Sequence, residues 1–474
     1  MEGTMKSTAN YVPLTPISFL IDPVVYADRT SVVYGPVTYT WRQTRDRCVR
    51  VASALSQLGI SSGDVVRTFL YLWFRCWLQT CQLWSSSFRC SHGWSFALYH
   101  SHPPRLRTRI RFAKQLRDQS VFADHQFLQI AQGACEILSK KGEKVPLLVL
   151  IQEPSCCFGE QEEVDGVRRC CLHGKSNFQV IRPKDECDAI SLNYTSGTTS
   201  SPKGVVYSHR GAYLNSLATV LLNEMHSSPT YLWTNPMFHC NRWCLIWGVT
   251  AIGGSNICLR NVTAKGIFDN ICQHKVTHMG GAPTILNMIV NASDSEKTAS
   301  GEGFLYNRAA PPPAHVIKKM EELGFSMFHS YGLTETYGPG TVCAWKPEWD
   351  LLPSEEQAKM KARQGVNHIG IEEVAGNTVM NGYLKNPEAT KVLSKEVGFG
   401  VETWGKHPDG YIELKEAVVA RPDEYWGKLP HYMAPRSIVF EDLPKTSTGK
   451  VQKFVLRTKA MAMGSLSKKG TSKL

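Results

Sequence analysis

Residues 195–204 read TSGTTSSPKG, a run of hydroxyl side chains that ends in Pro-Lys-Gly. The runs on either side, residues 189–194 and residues 205–207, are apolar and predict two β-strands. A glycine allows close backbone approach, and the hydroxyls and lysine supply the donors and positive charge that nucleotide phosphates need. The stretch is not a Walker A loop, because Pro202 precedes Lys203 and a glycine follows it. A flexible Ser/Thr-rich linker is the alternative, but a linker has no need to lie between two strands. We therefore predict a phosphate-binding loop.

Strand and helix patterns alternate around this loop and near the N-terminus. A helix is predicted from about Ser208, with these apolar side chains on its buried face: Leu214, Leu217, Ala218 and Leu221. Residues 37–40 predict a strand, Thr40 with Gln43 forms a capping box that opens a second helix, and Gly59 ends that helix. This alternation indicates an α/β fold with sheets covered by helices.

The composition is that of a globular protein, with 42% hydrophobic and 20% charged residues among 474. A chain of this length is long enough for a large domain and a smaller one. The N-terminus has no basic stretch followed by an apolar core, so we expect no secretory signal. The most apolar run, residues 68–84, is interrupted by Arg75, Gln79 and Gln82, so we expect no membrane span. The fifteen cysteines lack the Cys-x-x-Cys spacing of zinc sites and are predicted to be free thiols.

Positive charge is concentrated in one segment. The formal net charge is +12, and nine basic side chains fall between Asp64 and Asp118, where no acidic residue occurs. The segment at residues 68–121 is rich in Trp and Cys and has neither a helical nor a strand period. Arginines interleaved with aromatics are typical of nucleic-acid binding. A solvated segment or damaged coding sequence explains the missing acids more simply, so we treat the segment as anomalous and expect no nucleic-acid partner.

Three further motifs accompany the loop along the chain. Residues 236–241 read PMFHCN, residues 331–336 read YGLTET and residues 444–450 read PKTSTGK. Together with the loop they resemble the signatures of the adenylate-forming superfamily, which comprises acyl-CoA synthetases, luciferases and the adenylation domains of peptide synthetases. Residues 208–213, SHRGAY, look most like those of plant-type peroxisomal acyl-activating enzymes.

The resemblance implies a two-domain enzyme. It predicts a large N-terminal AMP-binding domain over residues 1–413, with β-sheets covered by helices. A small α+β C-terminal domain is expected over residues 414–474, truncated in this chain. The implied activity is that of an acid-thiol ligase, which joins a carboxylic acid to AMP from ATP and then transfers the acyl group to coenzyme A. ATP, Mg²⁺ and coenzyme A are therefore the implied cofactors and co-substrates.

The resemblance also assigns roles to individual residues. Lys450 would neutralise charge between the substrate carboxylate and the α-phosphate, Thr334 would contact the α-phosphate, and His239 would gate the acyl tunnel. Glu335 would hold Mg²⁺. The implied nucleotide-binding residues are Thr195, Ser196, Gly197, Thr198, Thr199, Lys203, Tyr331, Gly332, Thr334 and Glu402.

The run Gly280, Gly281, Ala282 and Pro283 leaves two interpretations open. From the residues alone it is a simple turn before a helix at Thr284. From the resemblance it is a loop beside the acyl group.

Several elements of the family pattern are altered. Glu402 occupies the slot of the ribose-binding aspartate and is one methylene longer. The hinge segment that should follow Glu413 looks deleted, and the adenine-side block survives only as residues 309–312, after an unfamiliar run at residues 304–308. Arg242 stands where a glycine is expected. The alternative to an active ligase is therefore an impaired or non-enzymatic remnant that at most binds nucleotide.

The last three residues, Ser472, Lys473 and Leu474, match the C-terminal address that the peroxisomal import receptor reads. A solvated basic tail is the alternative, since Lys468 and Lys469 lie nearby. The strictly terminal position favours import. We therefore expect the import receptor as a partner and the peroxisome as the location.

Overall fold

The structure is a computed structural model. It describes residues 11–21, 24–60, 64–69, 88–92, 120–124, 128–151, 173–195, 203–226, 228–235, 237, 244–297, 303–308, 313–363, 365–369 and 377–396. The strands within these ranges are β1 (Thr30–Tyr34), β2 (Val37–Thr40), β3 (Asp64–Phe69), β4 (Phe88–His92), β5 (Ser120–Asp124), β6 (Leu147–Ile151), β7 (Ala189–Tyr194), β8 (Gly204–Ser208), β9 (Thr230–Trp233), β10 (Ser255–Cys258), β11 (His278–Gly281), β12 (Gly303–Arg308), β13 (Phe325–Tyr331), β14 (Thr341–Val342), β15 (Val366–Asn367) and β16 (Gly382–Tyr383).

The α-helices in the same ranges are α1 (Ser18–Ile21), α2 (Trp41–Gln57), α3 (Leu128–Lys140), α4 (His209–Leu222), α5 (Leu245–Ala251), α6 (Ala264–His274), α7 (Pro283–Val290), α8 (Ala314–Glu322), α9 (Ser354–Lys361) and α10 (Pro387–Glu396). Short 3₁₀ helices occupy Val24–Tyr26 and Pro347–Leu351.

The described strands form two sheets. One has nine strands in the order β15-β14-β13-β12-β11-β9-β10-β1-β2, and it is parallel from β13 to β1. The other has seven strands in the order β16-β8-β7-β4-β3-β5-β6, and it is parallel from β7 to β6. The loop between β7 and β8 is too short for a crossover helix, so these two strands pair antiparallel. That loop is the predicted phosphate loop.

Helices cover the sheets, as the sequence predicts. On the nine-stranded sheet, α6, α7 and α8 bury their apolar sides against β11 and β13 in one large cluster, which includes Ile267, Leu286 and Met320. On the seven-stranded sheet, α2 packs against β5 and β6 through Leu55, Phe122 and Val149. Burial of these apolar side chains is the main favourable contribution to folding. Because helices cover both sheets, the predicted α/β class is confirmed.

A pair of helices, α4 and α5, connects the two sheets. Ala212 on α4 and Trp247 on α5 pack against Val205 of β8, in the seven-stranded sheet. From the other side of α5, Ile246 packs with Trp233 of the nine-stranded sheet. The ends of β8 and β13, which carry the two central motifs, are thereby held in one packed unit.

The predicted start of the N-terminal helix is confirmed. The Thr40 side chain accepts a hydrogen bond from the Gln43 backbone N–H at 3.2 Å, and the Gln43 side chain accepts one from the Thr40 N–H at 2.9 Å. This reciprocal capping satisfies two N–H groups that the helix itself leaves unpaired. The helix ends at Gln57, and Gly59 follows with φ +77°, the left-handed conformation that glycine favours.

The predicted buried face of α4 is wrong. Leu217 is 42% exposed and Leu221 is 67% exposed, although Ala218 is buried. The buried side instead carries polar groups: the Ser216 hydroxyl donates to the Ala212 carbonyl at 2.5 Å, and the Asn215 amide donates to the Tyr337 carbonyl at 2.6 Å. The helix therefore packs through small and hydrogen-bonded side chains.

Two stretches for which no strand was predicted contain strands. Strand β4 lies inside the anomalous segment and pairs with β3 on one side and β7 on the other. Strand β12 contains the unfamiliar run at residues 304–308 and pairs parallel with β11 and β13. A central strand takes backbone hydrogen bonds from both neighbours, whatever its side-chain period. The side-chain period at residues 68–121 therefore did not reveal β4, and no strand was predicted at residues 304–308.

The cysteines whose side chains the structure describes form no disulfide, in agreement with the predicted thiols: Cys48, Cys135, Cys187, Cys244, Cys258, Cys272 and Cys343. None of the helices in these ranges is long and apolar enough to cross a membrane. The proposed C-terminal domain, residues 414–474, lies outside the described residues, so the domain boundary stays a prediction.

Candidate functional site

The two ends of the phosphate loop are joined by two hydrogen bonds, one between backbone groups and one to a side-chain hydroxyl. The Thr195 N–H donates to the Lys203 carbonyl at 2.9 Å, and the Lys203 N–H donates to the Thr195 hydroxyl at 3.0 Å. The loop is thus closed at the mouth of the β7–β8 hairpin. The predicted binding residues at its tip, Ser196, Gly197, Thr198 and Thr199, lie outside the described residues.

Helix α4 starts directly behind the hairpin. Ser208, the last residue of β8, is its N-cap, and the Ser208 hydroxyl accepts from the Gly211 N–H at 3.0 Å. His209 is buried, and its Nδ1 lies 2.9 Å from the Thr15 hydroxyl of the N-terminal segment. Burial lowers the pKa of His209 to about 4, so the imidazole is neutral at physiological pH. No individual role was predicted for this histidine.

The second central motif forms a tight loop between β13 and β14. The Gly340 N–H donates to the Tyr331 carbonyl at 2.6 Å, and the Thr336 hydroxyl donates to the Gly338 carbonyl at 2.7 Å. A Cβ on Gly332 would lie 2.0 Å from the Gly338 carbonyl oxygen, so only glycine fits there. Residues 331–340 therefore form a closed turn, with Thr334 buried within it.

The loop at residues 331–340 is joined to the hairpin by aromatic side chains. The Tyr207 hydroxyl on β8 donates to the Thr334 carbonyl at 2.7 Å. The Tyr207 ring stacks on Tyr337, with 3.6 Å between ring centroids and an interplanar angle of 4°. Tyr337 has φ +59°, and its carbonyl accepts the hydrogen bond from Asn215. These contacts bring the first and second predicted motifs together.

Glu335, the predicted metal ligand, is half-buried beside two tyrosines. Its Oε1 accepts a hydrogen bond from the Tyr383 hydroxyl at 2.7 Å. Burial, with this hydrogen bond, raises the pKa of Tyr383 above its ordinary value. Burial, with the negative charge of Glu335, also raises the pKa of Tyr331. Within the described ranges, no group of three or more His, Cys, Asp or Glu side chains surrounds a common point.

Tyr383 also contacts Lys203. The Lys203 ammonium lies 4.9 Å from the centroid of the Tyr383 ring, which is within the range of a cation–π interaction. Sequence reasoning missed Tyr383, because its contact with Glu335 spans 48 residues. The local signal was the run NGYLKNP at residues 381–387, in which Asn386 caps α10 by accepting from the Ala389 N–H at 3.1 Å.

The glycine-rich run at residues 280–283 is not a simple turn. Gly280 and Gly281 end strand β11, Ala282 is the N-cap of α7 and Pro283 is its first residue. The Thr234 hydroxyl donates to the Gly280 carbonyl. A Cβ on Gly280 would lie 2.6 Å from the Tyr231 hydroxyl oxygen, so the absent side chain permits this packing. The position of the run relative to an acyl group stays a prediction.

The structure thus brings together Thr195, Lys203, Tyr331, Gly332, Thr334 and Glu335 of the predicted set. His239, Glu402 and Lys450 lie outside the described residues, as do Arg242 and residues 309–312. Their roles stay predictions.

Comparisons with a family model and with known proteins point to the same family. The family model described as AMP-binding enzyme matches residues 94–384. The chain is 39% identical to "Probable acyl-activating enzyme 21" of Arabidopsis thaliana over 550 residues, covering 98% of this chain and 98% of that one. It is 36% identical to the peroxisomal acetate/butyrate–CoA ligase AAE7 of Arabidopsis thaliana, covering 97% of this chain and 96% of that one.

A solved structure with the same fold is that of the anthranilate CoA ligase AuaEII in complex with anthranoyl-AMP. Its TM-score is 0.74 at 19% identity, and the match covers 98% of this chain and 100% of that one. The resemblance inferred from the motifs is confirmed. The chain belongs to the AMP-binding enzyme family, among relatives of the plant acyl-activating enzymes.

Proposed function

We propose that this chain is an ATP-dependent carboxylate–CoA ligase, which forms an acyl-adenylate and then an acyl-CoA thioester. The observation that carries the proposal is the junction of the two motif loops. The closed hairpin at Thr195 and Lys203 meets the turn at Thr334 and Glu335 through direct contacts of Tyr207 and Tyr383. In a member of the AMP-binding enzyme family, these are the segments expected to hold a nucleotide.

The reaction explains the residue types. A carboxylate oxygen attacks the α-phosphorus of ATP, the bond to the β-phosphate breaks, and pyrophosphate leaves. Two anions must approach each other, so positive charge and hydrogen-bond donors lower the barrier. Lys203 and the hydroxyl of Thr195 would bind the phosphates, Thr334 the α-phosphate, and Lys450 would lie between the two anions. Coenzyme A then displaces AMP from the carbonyl carbon.

Glu335 fits the proposed Mg²⁺ site. One oxygen of its carboxylate accepts the Tyr383 hydrogen bond, which leaves further lone pairs for a cation. Mg²⁺ is commonly bound by one or two carboxylates together with phosphates and water, so a single glutamate is enough. When bound, the ion would neutralise charge on the leaving pyrophosphate. His239 would line the acyl entrance, and Glu402 would contact the ribose.

The alternative, an impaired or non-enzymatic remnant, also has support. The alignment with the acyl-activating enzyme 21 relative extends over 550 positions, whereas this chain has 474 residues. Some positions of that relative therefore have no counterpart here, which agrees with the hinge that looks deleted after Glu413. The active ligase and the remnant differ in whether the chain completes the ligase reaction.

An acid-dependent hydroxamate assay separates them. Purified full-length protein is incubated with ATP, Mg²⁺, hydroxylamine and one of acetate, butyrate or anthranilate, the acids in the names of the relatives described above. The ligase proposal predicts hydroxamate with at least one acid and none without ATP. Folded protein that binds ATP but yields no hydroxamate with any acid would support the remnant.

We also propose that the peroxisomal import receptor recognises Ser472, Lys473 and Leu474 and that the protein is peroxisomal. The peroxisomal name of one relative supports this. A fluorescent fusion that keeps the native C-terminus should colocalise with a peroxisomal marker, and deletion of the tripeptide should leave it in the cytosol. Import of the deleted fusion would contradict the proposal.

A further inference from the structure

Tyr383 touches two residues of the proposed site that carry opposite charges. Its hydroxyl donates to Glu335 Oε1 at 2.7 Å, and its ring receives the Lys203 ammonium at 4.9 Å from the centroid. Tyr383 is only 8% exposed, and Lys203 and Glu335 are both partly buried, so both contacts are partly shielded from water. Electrostatic contacts are stronger there than at an open surface.

The backbone around Tyr383 reinforces this bridge. The Met380 N–H donates to the Glu335 carbonyl at 3.1 Å, and the Leu384 N–H donates to the Gly204 carbonyl at 2.7 Å. Between them, Gly382 and Tyr383 pair with Val206 and Val205 of β8. Residues 380–384, here called the strap, are therefore hydrogen-bonded to both motif segments.

The Tyr383 side chain contacts the two charged groups separately, through its hydroxyl at Glu335 and its ring at Lys203. None of the ion pairs found in the described part of the chain joins Lys203 to Glu335. A direct Lys203–Glu335 pair would occupy the cation that phosphate needs and the carboxylate that a metal needs. The ring and hydroxyl of Tyr383 hold both groups without neutralising either.

We propose that Tyr383 is a positioning residue that couples phosphate binding at Lys203 to metal binding at Glu335. This inference rests on the proposed function, since it assumes ATP and Mg²⁺ as the ligands. The hydroxyl orients the carboxylate toward the metal, and the ring orients the ammonium toward the phosphates. Binding of either ligand then favours binding of the other, which is a coupling between two sites.

Calorimetric titration of the purified full-length chain with ATP, with and without Mg²⁺, measures this coupling directly. The quantity compared is the dissociation constant of ATP without Mg²⁺ divided by the dissociation constant of ATP with Mg²⁺. Tyr383→Phe keeps the ring and removes the hydroxyl, so the ratio should fall roughly tenfold, as for loss of a hydrogen bond to a charged group, with metal-free binding nearly unchanged. Tyr383→Leu removes both contacts and should weaken metal-free ATP binding as well.

The matched control is Tyr213→Phe on α4, where the Tyr213 ring stacks on Phe19 of α1 with 4.7 Å between ring centroids. It should leave the ratio unchanged. A Tyr383→Phe variant with the wild-type ratio, or one whose two dissociation constants rise equally together with a lowered Tm, overturns the positioning role. Wild-type protein that binds ATP without any response to Mg²⁺ overturns the proposed function, and the inference with it.

Discussion

At the scale of single residues, the site depends on close backbone approaches and on one buried histidine. Gly332 and Gly340 both belong to the turn at residues 331–340, but only Gly332 faces a backbone atom that cannot move away. His209 is neutral behind the phosphate loop because it is buried. These two features lead to separate predictions, one steric and one dependent on pH.

Gly332→Ala should disrupt the turn, because the new Cβ would lie 2.0 Å from the Gly338 carbonyl oxygen. Overpacking of this kind typically costs roughly 1 to 3 kcal/mol of unfolding free energy. We expect a lower Tm and loss of ATP binding by calorimetry. Gly340→Ala is the control, because the nearest atom to its Cβ would be Thr336 Cγ2 at an ordinary 3.7 Å. Equal effects of the two substitutions would refute the steric explanation.

The stability of the protein should fall as the pH is lowered through the range from about 6.5 to about 4. The pKa of His209 is lowered to about 4 in the folded state, so the unfolded chain binds a proton there that the folded chain does not. The unfolding free energy should therefore decrease by up to about 3 kcal/mol across that range. Urea unfolding of wild type and of His209→Gln at a series of pH values measures this contribution. The control is substitution of the exposed His315 by Gln. If the unfolding free energy depends on pH in the same way in wild type and His209→Gln, protonation of His209 is not the cause of the loss of stability.

At the scale of elements, local sequence was sufficient where local chemistry decides the structure. The capping box at Thr40, strand β7 and the start of α4 at Ser208 depend on neighbouring residues, and each was predicted correctly. The buried face of α4 was not, because its partners are the Tyr337 carbonyl and the interior of the site, where Asn215 and Ser216 form hydrogen bonds. Helical periodicity of leucines cannot show that a polar face is the buried one.

The N-cap of α4 should matter for both stability and nucleotide binding. The Ser208 hydroxyl accepts from the Gly211 N–H at 3.0 Å, and Thr263 caps α6 in the same way by accepting from the Gly266 N–H at 3.1 Å. Ser208→Ala and Thr263→Ala should each cost about 1 kcal/mol of stability. Only Ser208→Ala should weaken ATP binding, since α4 continues directly from the hairpin. Thermal unfolding and ATP titration of both variants check this. If Ser208→Ala and Thr263→Ala change ATP affinity equally, the N-cap of α4 has no specific role in nucleotide binding.

At the scale of the whole molecule, the motifs predicted the fold class and family before any contact was known. The contacts between motifs could not be predicted in this way. Tyr383 reaches Glu335 across 48 residues and Tyr207 reaches Thr334 across 127, and both depend on how two sheets pack around α4 and α5. The absence of a side-chain period likewise did not reveal β4, whose pairing with β3 and β7 makes it a central strand.

Acid-dependent exchange of labelled pyrophosphate into ATP shows whether this chain makes an acyl-adenylate. Wild-type protein should show exchange that requires both a carboxylic acid and Mg²⁺. Lys450→Ala should lower the rate by about 10²- to 10³-fold, because one electrostatic contact to the transition state is lost. Lys445→Ala, in the same PKTSTGK motif, should stay close to wild type. Folded, ATP-binding wild-type protein that shows no exchange with any acid would mean that this chain is not an adenylate-forming ligase.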